Sequence, residues 1–460
     1  MNFISRKRIQ RLHFVGIGGA GMSGIAEVLH ENDFIVTGSD TSDGEAIQYL
    51  KKLGIRIDSI HEAKNVEEAD LVVYSSAVQQ DNPELVEARA RRIPIIRRAE
   101  MLGELMRLKY TLAIAGTHGK TTTTSMVGAI WEKAELDPTV IVGGVVKGKG
   151  SGAKVGRGSY LIAESDEFDR SFLSMMPSSA IITNIDEDHL DTYKNLEEIK
   201  NAFVEFANKV PFYGQVIICL DDLNVQSILS RLTKPIITYG FSRQAIYRIE
   251  GLRREQENFV FDVFKNNELL GTFKIKTPGK HNVLNATAAI ALAVEEQIPL
   301  NVISEAIASF EGVHRRFEYM GEYKGALVYN DYAHHPTEVA ATLQGFRDAF
   351  PDRRLIVVFQ PHLFSRTRDH HGFFGTAFGN CDILFGCDIY PAREKPIEGV
   401  TGELVVQSAL DRGHRDARFI GAKENALIAL KKELNEKDIV VFMGAGNIWL
   451  QGKELLEDKI

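Results

Sequence analysis

The sequence predicts an α/β protein with three domains built around mostly parallel sheets. The chain has 460 residues, and at roughly 150 residues per domain this length is enough for three domains. Short β-rich runs alternate with helix-length amphipathic runs along most of the chain, which is typical of α/β layers. In addition, one pattern recurs near residues 15, 115 and 443, where an apolar run enters a glycine-rich turn.

The composition narrows the class of protein further. Hydrophobic residues make up 44% and charged residues 25% of the chain, which is typical of a soluble globular protein. The net charge of -8 argues against a protein that coats nucleic acid through a basic surface. No apolar run approaches the roughly 18 residues that span a bilayer, so we expect no membrane insertion. The three cysteines form no Cys-x-x-Cys pair, which favours a reducing, cytoplasmic compartment and predicts that Cys381 and Cys387 are buried by packing.

The breaks between periodic segments predict the domain boundaries. The first boundary follows Leu108, before a fresh strand that begins at Tyr110, and the second lies where a helical pattern ends in Gly312. The predicted domains are residues 1–108, 109–316 and 317–460. Within the second, Leu196, Ile199, Phe203 and Phe206 share one helical face, which predicts core packing.

The first glycine turn follows a predicted strand, Leu12 to Val15. Gly16, Gly18 and Gly21 satisfy G-x-G-x-x-G, and Asp40 closes the next strand. Such glycines allow a tight turn and close approach to a pyrophosphate, and an acid about 20 residues on binds ribose hydroxyls. The motif fits a dinucleotide or a nucleotide diphosphate sugar equally well. Alternatively, the glycines serve only the packing of helix on sheet.

The second glycine turn carries the groups needed for phosphate transfer. Lys120 would hold β- and γ-phosphate charge, and the Thr121 hydroxyl is placed to bind Mg²⁺. Ile114 stands where the common motif has its first glycine, so this is a shortened variant. The predicted loop comprises Gly116, Thr117, His118, Gly119, Lys120, Thr121 and Thr122.

Acidic residues follow two later predicted strands. Carboxylates at strand ends beside a phosphate loop suit a site for Mg²⁺, which prefers oxygen ligands. His189 would be an unusual magnesium ligand and has an alternative role in orienting phosphate or capping a turn. The residues concerned are Glu164, Asp166, Glu167 and Asp169 after one strand, and Asp186, Asp188 and His189 after the other.

An alanine-rich helix begins near residue 281. His281 and Asn285 are four residues apart and share a face, and Asn282 adds another amide group at the start of the helix. Amide groups on such a face can read adenine, or they can cap and pack the helix.

Eight motifs follow one another in order across nearly the whole chain. They are GIGGAGMSGIAEVL, GTHGKTTTT, ESDEFDRSFL, NIDEDHLD, GKHNVLNATAA, GVHRRFE, NDYAHHPTE and FQPHLFSRT. Together they resemble the Mur ligases of bacterial cell-wall synthesis, and within that family the sequence is most similar to the branch that adds alanine.

The resemblance implies a Rossmann-like N-terminal domain that binds a UDP-sugar, a central P-loop ATPase α/β domain, and a Rossmann-like C-terminal domain that binds the amino acid and closes over ATP. It implies ATP and Mg²⁺ as cofactors, UDP-N-acetylmuramate and L-alanine as substrates, and a monomer or homodimer. The implied product feeds peptidoglycan synthesis, and so cell shape and division.

The resemblance also implies roles for individual residues. Lys120, His189 and Glu164 would be catalytic, and Thr121, Glu164 and His189 would surround magnesium. The ATP site would add His281, Asn282, Asn285, Arg315 and Asp331 to the phosphate loop. The UDP-sugar site would comprise Gly18, Gly19, Ala20, Gly21, Met22, Ser23, Asp40 and Ser75, and the alanine and muramate region Tyr332, His334, His335, Arg366 and Arg368.

Two features depart from the family pattern. Leu363 stands where many relatives carry a basic residue, so anchoring would fall to Arg366 or Arg368. The carbamoylated lysine of several sibling ligases has no obvious counterpart, which leaves the second magnesium site open.

Three alternatives remain at this stage. A ligase that attaches a whole tripeptide to the same sugar is the alternative within the family. A pyridine-nucleotide dehydrogenase would account for the first glycine turn and leave the second unexplained. A non-catalytic nucleotide-binding regulator is disfavoured because no separate interaction module is visible.

Overall fold

The computed structural model describes residues 9–75, 77–143, 153–189, 192–256, 258–392 and 394–457. The chain divides into two compact units. The first comprises residues 1–253, 260–274 and 284–310, and the second comprises residues 254–259, 275–283 and 311–460. None of the described helices is long and apolar enough to cross a membrane.

The first sheet has five strands, all parallel. Its strands are β1 (Arg11–Val15), β2 (Ile35–Ser39), β3 (Arg56–Asp58), β4 (Leu71–Tyr74) and β5 (Ile95–Arg97). The helices of this segment are α1 (Ala20–Glu31), α2 (Glu45–Lys52), α3 (Pro83–Ala90) and α4 (Arg98–Met106), with a 3-10 helix at Ala63–Val66. The strand order β3-β2-β1-β4-β5 places β1 at the centre, so the first glycine turn leaves the middle of the carboxyl edge, where open α/β sheets bind ligands.

The second sheet has ten strands. They are β6 (Tyr110–Ala115), β7 (Thr139–Ile141), β8 (Ala153–Lys154), β9 (Tyr160–Glu164), β10 (Ser179–Ile182), β11 (Val216–Cys219), β12 (Ile236–Gly240), β13 (Tyr247–Glu255), β14 (Asn258–Lys265) and β15 (Glu268–Ile275). Its segment carries α5 (Lys120–Lys133), α6 (Leu196–Ala207), α7 (Leu223–Ile228), α8 (Lys280–Glu295) and α9 (Leu300–Ser309), with 3-10 helices at Phe168–Ser174 and Leu229–Arg231. β6 lies between β10 and β9 and runs parallel to both. The loops after these three strands therefore meet at one edge.

The first two sheets share one apolar cluster. Leu12 of β1 and Ala113 of β6 both belong to it, and a Cβ at Gly103 of α4 would lie 2.4 Å from the carbonyl oxygen of Ser174. A side chain at position 103 would therefore force α4 away from the 3-10 helix that it packs against. The predicted boundary after Leu108 falls between α4 and β6 and stays a prediction.

Helix α6 confirms the predicted packing face. Ile199, Phe203 and Phe206 are buried, and Leu196 is partly buried against the same cluster. Helix α9 ends at Ser309, earlier than the predicted end at Gly312. Gly312 has a φ of 91°, a left-handed conformation that lies outside the helix.

The third sheet lies in the second unit and has six strands. They are β16 (Glu318–Tyr323), β17 (Ala326–Asp331), β18 (Arg354–Phe359), β19 (Ile383–Cys387), β20 (Ala417–Gly421) and β21 (Asp438–Met443), and the helices are α10 (Pro336–Ala349), α11 (Phe364–Ala377), α12 (Glu403–Asp411), α13 (Asn425–Glu433) and α14 (Trp449–Glu457). The order is β16-β17-β21-β18-β19-β20, and only the β16–β17 pair is antiparallel among the described pairings.

Both faces of this sheet are buried. Val357 of β18 belongs to one apolar cluster and Val358 to the other, because successive side chains of a strand point to opposite faces. Cys381 packs in the first cluster and Cys387 in the second. Both are buried free thiols, so the packing prediction is confirmed.

Candidate functional site

The turn between β1 and α1 is held by the end of β2. The amide of Gly16, at a φ of 78°, donates to the Ser39 carbonyl over 2.8 Å, and the Gly18 amide donates to Asp40 Oδ2 over 2.8 Å. Asp40 Oδ1 accepts from the amide and hydroxyl of Ser42. The carboxylate that the sequence assigns to ribose therefore also braces the glycine turn.

The remaining residues predicted for this turn lie close to it. Gly19 precedes α1, whose first turn contains Ala20, Gly21, Met22 and Ser23. Ser75 follows β4, and its amide donates to the carbonyl of Val15. These residues all lie at the carboxyl edge of the first sheet, where amide N–H groups of a helix start favour an anion.

Arg98 is a residue of this edge that sequence reasoning missed. A Cβ at Gly21 would lie 2.8 Å from Arg98 Nη1, so the guanidinium passes directly over the first turn of α1. A side chain at position 21 would require the Arg98 side chain to move. The signal was present in the sequence, because Arg98 immediately follows the short strand β5 and opens α4.

The turn between β6 and α5 packs against the end of β10. Gly116 has a φ of 135°, and a Cβ there would lie 2.0 Å from Thr183 Oγ1. The His118 amide donates to Asn184 Oδ1 over 2.8 Å, and the Thr183 hydroxyl donates to the His118 carbonyl over 2.6 Å. Asn184 and Thr183 fix this loop, and neither was singled out from the sequence because neither type carries a catalytic signature.

Two further contacts define the loop. His118 Nε2 lies 3.1 Å from Asp186 Oδ2, and the Thr117 hydroxyl accepts from the Asp186 amide. Gly119 has a φ of 82°, and a Cβ there would lie 2.6 Å from Asn285 Oδ1. The structure thus brings Asn285 of α8 onto the phosphate loop, as the prediction for the ATP site requires.

Lys120 opens α5 and is surrounded by oxygen atoms. Its Nζ donates to Glu167 Oε2 over 2.8 Å and to the Thr117 carbonyl over 3.1 Å, and it lies 3.3 Å from Asp166 Oδ1. Burial opposes the charge on Lys120, but the carboxylates of Asp166 and Glu167 outweigh it and raise the pKa well above its ordinary value. The ammonium is therefore permanently charged and is already bound by anionic oxygens.

Thr121 contacts the carboxylate at the end of β9. Its hydroxyl lies 3.0 and 3.1 Å from the two oxygens of Glu164, and the Gly143 amide donates to Glu164 Oε2 over 2.7 Å. Burial raises the pKa of Glu164 above its ordinary value, and the Gly143 hydrogen bond opposes that shift. Thr122, the next residue of the predicted loop, is buried in α5.

The carboxylates after β9 approach His189. Ligand atoms of Asp166, Glu167 and His189 all lie within 4.8 Å of one another. Burial opposes ionisation of Asp166, but Lys120 and His189 lower its pKa to about 2. Glu167 is 2% exposed, and burial raises its pKa. The hydroxyl and carboxylate oxygens of Thr121 and Glu164 fit the oxygen preference of Mg²⁺, while His189 lies beside the second pair of acids.

His281 and Asn282 make their described contacts within the second unit. The Asn282 amide donates to the Pro278 carbonyl over 2.7 Å, which supports the capping alternative for this side chain. Burial and the charge of Arg316 lower the pKa of His281 to about 4. His281 is therefore neutral at pH 7.

In the second unit, Arg315 binds the third glycine turn. Its Nη2 donates to the carbonyls of Gly444 and Gly446 over 2.7 and 2.8 Å, and its guanidinium stacks over Tyr332 at 4.7 Å from the ring centre. The carbonyl groups of this turn thus hold a cation. In the second turn the Thr117 carbonyl also accepts from a cation, but there the cation is Lys120 of the turn itself.

Asp331 ends β17 and accepts three hydrogen bonds from protein groups. The amides of Phe317 and Ala333 donate to its two oxygens over 2.7 and 2.8 Å, and the Thr342 hydroxyl lies at 3.5 Å. Burial raises the pKa of Asp331. Within the second unit this carboxylate organises the backbone around the end of β17.

The predicted alanine and muramate residues are only partly brought together. The His334 and His362 rings lie 5.9 Å apart, and Arg366 Nη1 lies 3.3 Å from His362 Nδ1. His335 caps α10 and its ring lies 5.0 Å from that of His370. His362 is a neighbour that sequence reasoning passed over, although it belongs to the FQPHLFSRT motif.

Arg368 is separated from this group. It is two residues beyond Arg366 on α11, and residues two apart on a helix point in different directions. Arg366 is 9% exposed, whereas the Arg368 side chain is 55% exposed and pairs with Asp369. Of the two candidates for anchoring, the structure places Arg366 beside His362, whose ring lies 5.9 Å from that of His334.

Three family models match the chain in order. They are described as the Mur ligase family catalytic domain over residues 11–110, the Mur ligase middle domain over 114–293, and the Mur ligase glutamate ligase domain over 315–446. A UDP-N-acetylmuramate–L-alanine ligase of Sorangium cellulosum is 50% identical over 445 residues, which cover 96% of this chain and 95% of the relative. A ligase of the same name from a Geobacter species is 50% identical and covers 98% of this chain and 97% of the relative.

Two solved structures are similar over the whole length. A UDP-N-acetylmuramate–alanine ligase of Thermotoga maritima matches with a TM-score of 0.82 and 32% identity, covering 97% of this chain and 98% of that chain. A murein peptide ligase of Psychrobacter arcticus matches with a TM-score of 0.70 and 23% identity, covering 98% of this chain and 99% of that chain. At 23% identity, the similarity to the murein peptide ligase shows a shared fold only.

Proposed function

The chain belongs to the Mur ligase family, and we propose that it uses ATP to join L-alanine to the carboxylate of UDP-N-acetylmuramate, with ADP and phosphate as the other products. The observation that carries this proposal is the turn after β6, in which Lys120 and Thr121 face carboxylates of the neighbouring strand. The substrates are those in the names of relatives that are 50% identical over nearly the whole chain. The product is a precursor of peptidoglycan.

A free carboxylate does not form an amide with an amine in water, so the reaction must first activate it. The lactyl carboxylate of the sugar attacks the γ-phosphorus of ATP and displaces ADP, which gives an acyl phosphate. The alanine amine then attacks the acyl carbon, and phosphate leaves. Two anions must approach each other in the first step, so electrostatic stabilisation and positioning are the main demands on the protein.

The phosphate loop meets these demands with its own groups. Amides at the start of α5 face the anion, and the Lys120 ammonium offsets the charge that moves from the γ-phosphate to the leaving ADP. Glu167 and Asp166 hold that ammonium at the mouth of the loop, so ATP binding exchanges carboxylate oxygens for phosphate oxygens around it. The loop is thus set in position before ATP arrives.

Thr121 and Glu164 are the residues that would hold Mg²⁺, with His189 as a third candidate. When bound there, Mg²⁺ would supply positive charge that offsets the negative charge of the polyphosphate. Thr121 and Glu164 already contact each other, which orients the hydroxyl oxygen and the carboxylate toward one point.

The other two substrates are assigned to the other two glycine-turn regions. The UDP-sugar binds at the carboxyl edge of the first sheet, against the turn at Gly18 and Gly19 and the residues of the first turn of α1. L-alanine and the muramate carboxylate bind near Tyr332, His334 and Arg366 of the second unit, where a guanidinium is available for a carboxylate. The reaction takes place in the cytoplasm, in keeping with three cysteines that are all free thiols.

Phosphate release tests this proposal. We expect release from ATP only when UDP-N-acetylmuramate and L-alanine are both present, and equal release without the UDP-sugar would contradict the proposal. The same assay with the tripeptide L-Ala-γ-D-Glu-meso-diaminopimelate in place of L-alanine separates the two ligase branches. We expect L-alanine to be used with a kcat/KM at least about 100-fold higher, because the two acceptors share the amine and the methyl group, and a site that binds the free α-carboxylate of alanine rejects the peptide bond and the two residues that follow it in the tripeptide.

A further inference from the structure

A buried carboxylate lies beneath the first glycine turn. Glu84 of α3 is fully buried. The Ser39 hydroxyl donates to its Oε2 over 2.6 Å, and the Asn65 amide group donates to its Oε1 over 2.7 Å. Glu84 thereby joins α3 to the end of β2 and to the 3-10 helix at Ala63–Val66.

Two histidines complete the surroundings of this carboxylate. His61 Nδ1 lies 2.9 Å from Glu84 Oε2, and its side chain is 23% exposed. His13 of β1 is fully buried; its Nε2 lies 3.4 Å from Glu84 Oε1, and its Nδ1 lies 2.9 Å from the Thr37 hydroxyl. Although burial opposes it, the pKa of Glu84 is lowered by these hydrogen bonds, so the group is ionised at neutral pH.

Ser39 connects this network to the glycine turn. Its hydroxyl is bound by Glu84, and its carbonyl accepts from the amides of Gly16 and Ile17 over 2.8 and 3.1 Å. The next residue, Asp40, accepts from the Gly18 amide. The position of β2 at Ser39 and Asp40 therefore sets the position of three consecutive amides in the turn.

The buried carboxylate of Glu84 is not explained by a gain in the stability of the fold. A buried carboxylate loses hydration, and an apolar residue of similar size is often as stable or more stable in such a position. The described surroundings of Glu84 place a hydroxyl, an amide group and two imidazoles within 3.4 Å of its two oxygens. Contacts from several elements to one carboxylate fix the relative positions of those elements, because each hydrogen-bond donor is held in one direction.

We propose that Glu84 is a positioning residue for the UDP-sugar site, which it serves by holding Ser39 and, through Ser39, the amides of the Gly16–Gly18 turn. This inference rests on the proposed function, because that function places the UDP-sugar at this turn. Glu84 acts through Ser39 and does not itself contact the substrate. A substitution at Glu84 should therefore change the affinity for the UDP-sugar and leave the ATP loop unchanged.

The test replaces Glu84 with an isosteric amide. In Glu84→Gln one carboxylate oxygen becomes an NH₂ that only donates, so the group that donates to that oxygen, the Asn65 amide or the Ser39 hydroxyl, must turn, and the remaining hydrogen bonds lose their charged acceptor. We expect the dissociation constant for UDP-N-acetylmuramate, measured by calorimetry, to rise about tenfold, as for loss of a hydrogen bond to a charged group. ATP affinity and kcat at saturating UDP-sugar should stay within about twofold of wild type.

Glu27→Gln is the matched control. Glu27 is also a buried carboxylate of the first unit, in α1, and it accepts from the Tyr49 hydroxyl over 2.9 Å. We expect this variant to keep its affinity for the UDP-sugar. An equal dissociation constant for the two folded variants would overturn the inference, and so would a parallel loss of ATP affinity in Glu84→Gln, which would indicate general damage.

A second variant guards against a failure of Glu84→Gln to fold. Ser39→Ala removes only the hydroxyl through which Glu84 holds the end of β2. We expect a several-fold rise in the dissociation constant for UDP-N-acetylmuramate. In the double variant the dissociation constant for UDP-N-acetylmuramate should not exceed that of Glu84→Gln alone, because both substitutions break the same hydrogen bond between Ser39 and Glu84. Additive effects of the two substitutions would overturn the inference. If the wild-type protein itself does not bind UDP-N-acetylmuramate, the proposed function fails at this site, which is distinct from failure of the Glu84 inference.

Discussion

The glycine turns after β1 and after β6 use the same backbone device in different electrostatic surroundings. Both follow a central parallel strand, begin a helix and contact the end of a neighbouring strand of the sheet, at Ser39 in the first and at Thr183 in the second. The first turn has no lysine or carboxylate–lysine pair of its own. The second opens on Lys120, which contacts Asp166 and Glu167. The backbone makes both turns able to bind anions, and the side chains make only the second suitable for phosphoryl transfer.

The largest expected effect comes from removing the cation of the second turn. Lys120→Ala should lower kcat/KM for ATP by about 1,000-fold, because the charge on the transferring phosphoryl group loses its partner. The affinity for UDP-N-acetylmuramate should stay within about twofold, since the first turn does not contact Lys120. Calorimetry and a phosphate-release assay measure both. Lys133→Ala is the control, because Lys133 lies at the exposed end of α5 and pairs with Glu305. Loss of UDP-sugar binding in Lys120→Ala would contradict the independence of the two turns.

A substitution at Gly116 tests whether the second turn depends on its backbone. Its φ of 135° suits glycine alone, and a Cβ would lie 2.0 Å from Thr183 Oγ1. Gly116→Ala should therefore raise the dissociation constant for ATP about 100-fold, through strain in the loop and displacement of β10. Gly44→Ala, where nothing lies within 4 Å of the added Cβ, should be neutral. Unchanged ATP binding in Gly116→Ala would show that the loop adapts.

The hydroxyl of Thr121 tests the proposed magnesium site. Thr121→Ala should lower kcat about 30-fold and raise the Mg²⁺ concentration needed for half-maximal activity, because one oxygen ligand is lost. Thr121→Ser keeps the hydroxyl and should restore most of the activity. If both variants have the same magnesium dependence as wild type, Thr121 does not bind the ion.

The smallest effect is expected in the first turn. Gly16→Ala places a side chain at a φ of 78°, which costs about 1–2 kcal/mol for a residue other than glycine. The dissociation constant for the UDP-sugar should rise about tenfold, and ATP affinity should not change. A loss of ATP affinity as large as the loss of UDP-sugar affinity would mean that the two turns are not independent.

The features predicted correctly from the sequence are those carried by consecutive residues. The strand, turn and helix around Gly16, around Gly116 and around Gly444 are all confirmed, because each lies within one short segment. The expectation that carboxylates lie beside the phosphate loop came from a rule about parallel strands, and the resemblance implied Glu164 as the partner of Thr121; the two residues meet because β6 and β9 are neighbours whose carboxyl ends lie together. These are local or topological features, and the sequence contains both kinds of information.

The features that were missed depend on residues far apart in the chain. Glu84 binds side chains from β2, from the loop after β3 and from a 3-10 helix, and no spacing in the sequence reveals that these converge. The hydrogen bonds from Arg315 to the carbonyls of Gly444 and Gly446 join residues about 130 positions apart. Arg368 could have been separated from Arg366 by helical periodicity alone, because the two are only two residues apart on α11.

The most direct test of the proposed chemistry follows an oxygen atom. UDP-N-acetylmuramate labelled with ¹⁸O in its lactyl carboxylate is incubated with ATP, Mg²⁺ and L-alanine, and the released phosphate is analysed by mass spectrometry. Attack of the carboxylate on the γ-phosphorus places one carboxylate oxygen between carbon and phosphorus, and attack of the amine then leaves that oxygen on phosphate. We predict one ¹⁸O atom in each phosphate released by ligation. Phosphate without the label, formed together with the alanine amide, would contradict an acyl phosphate intermediate.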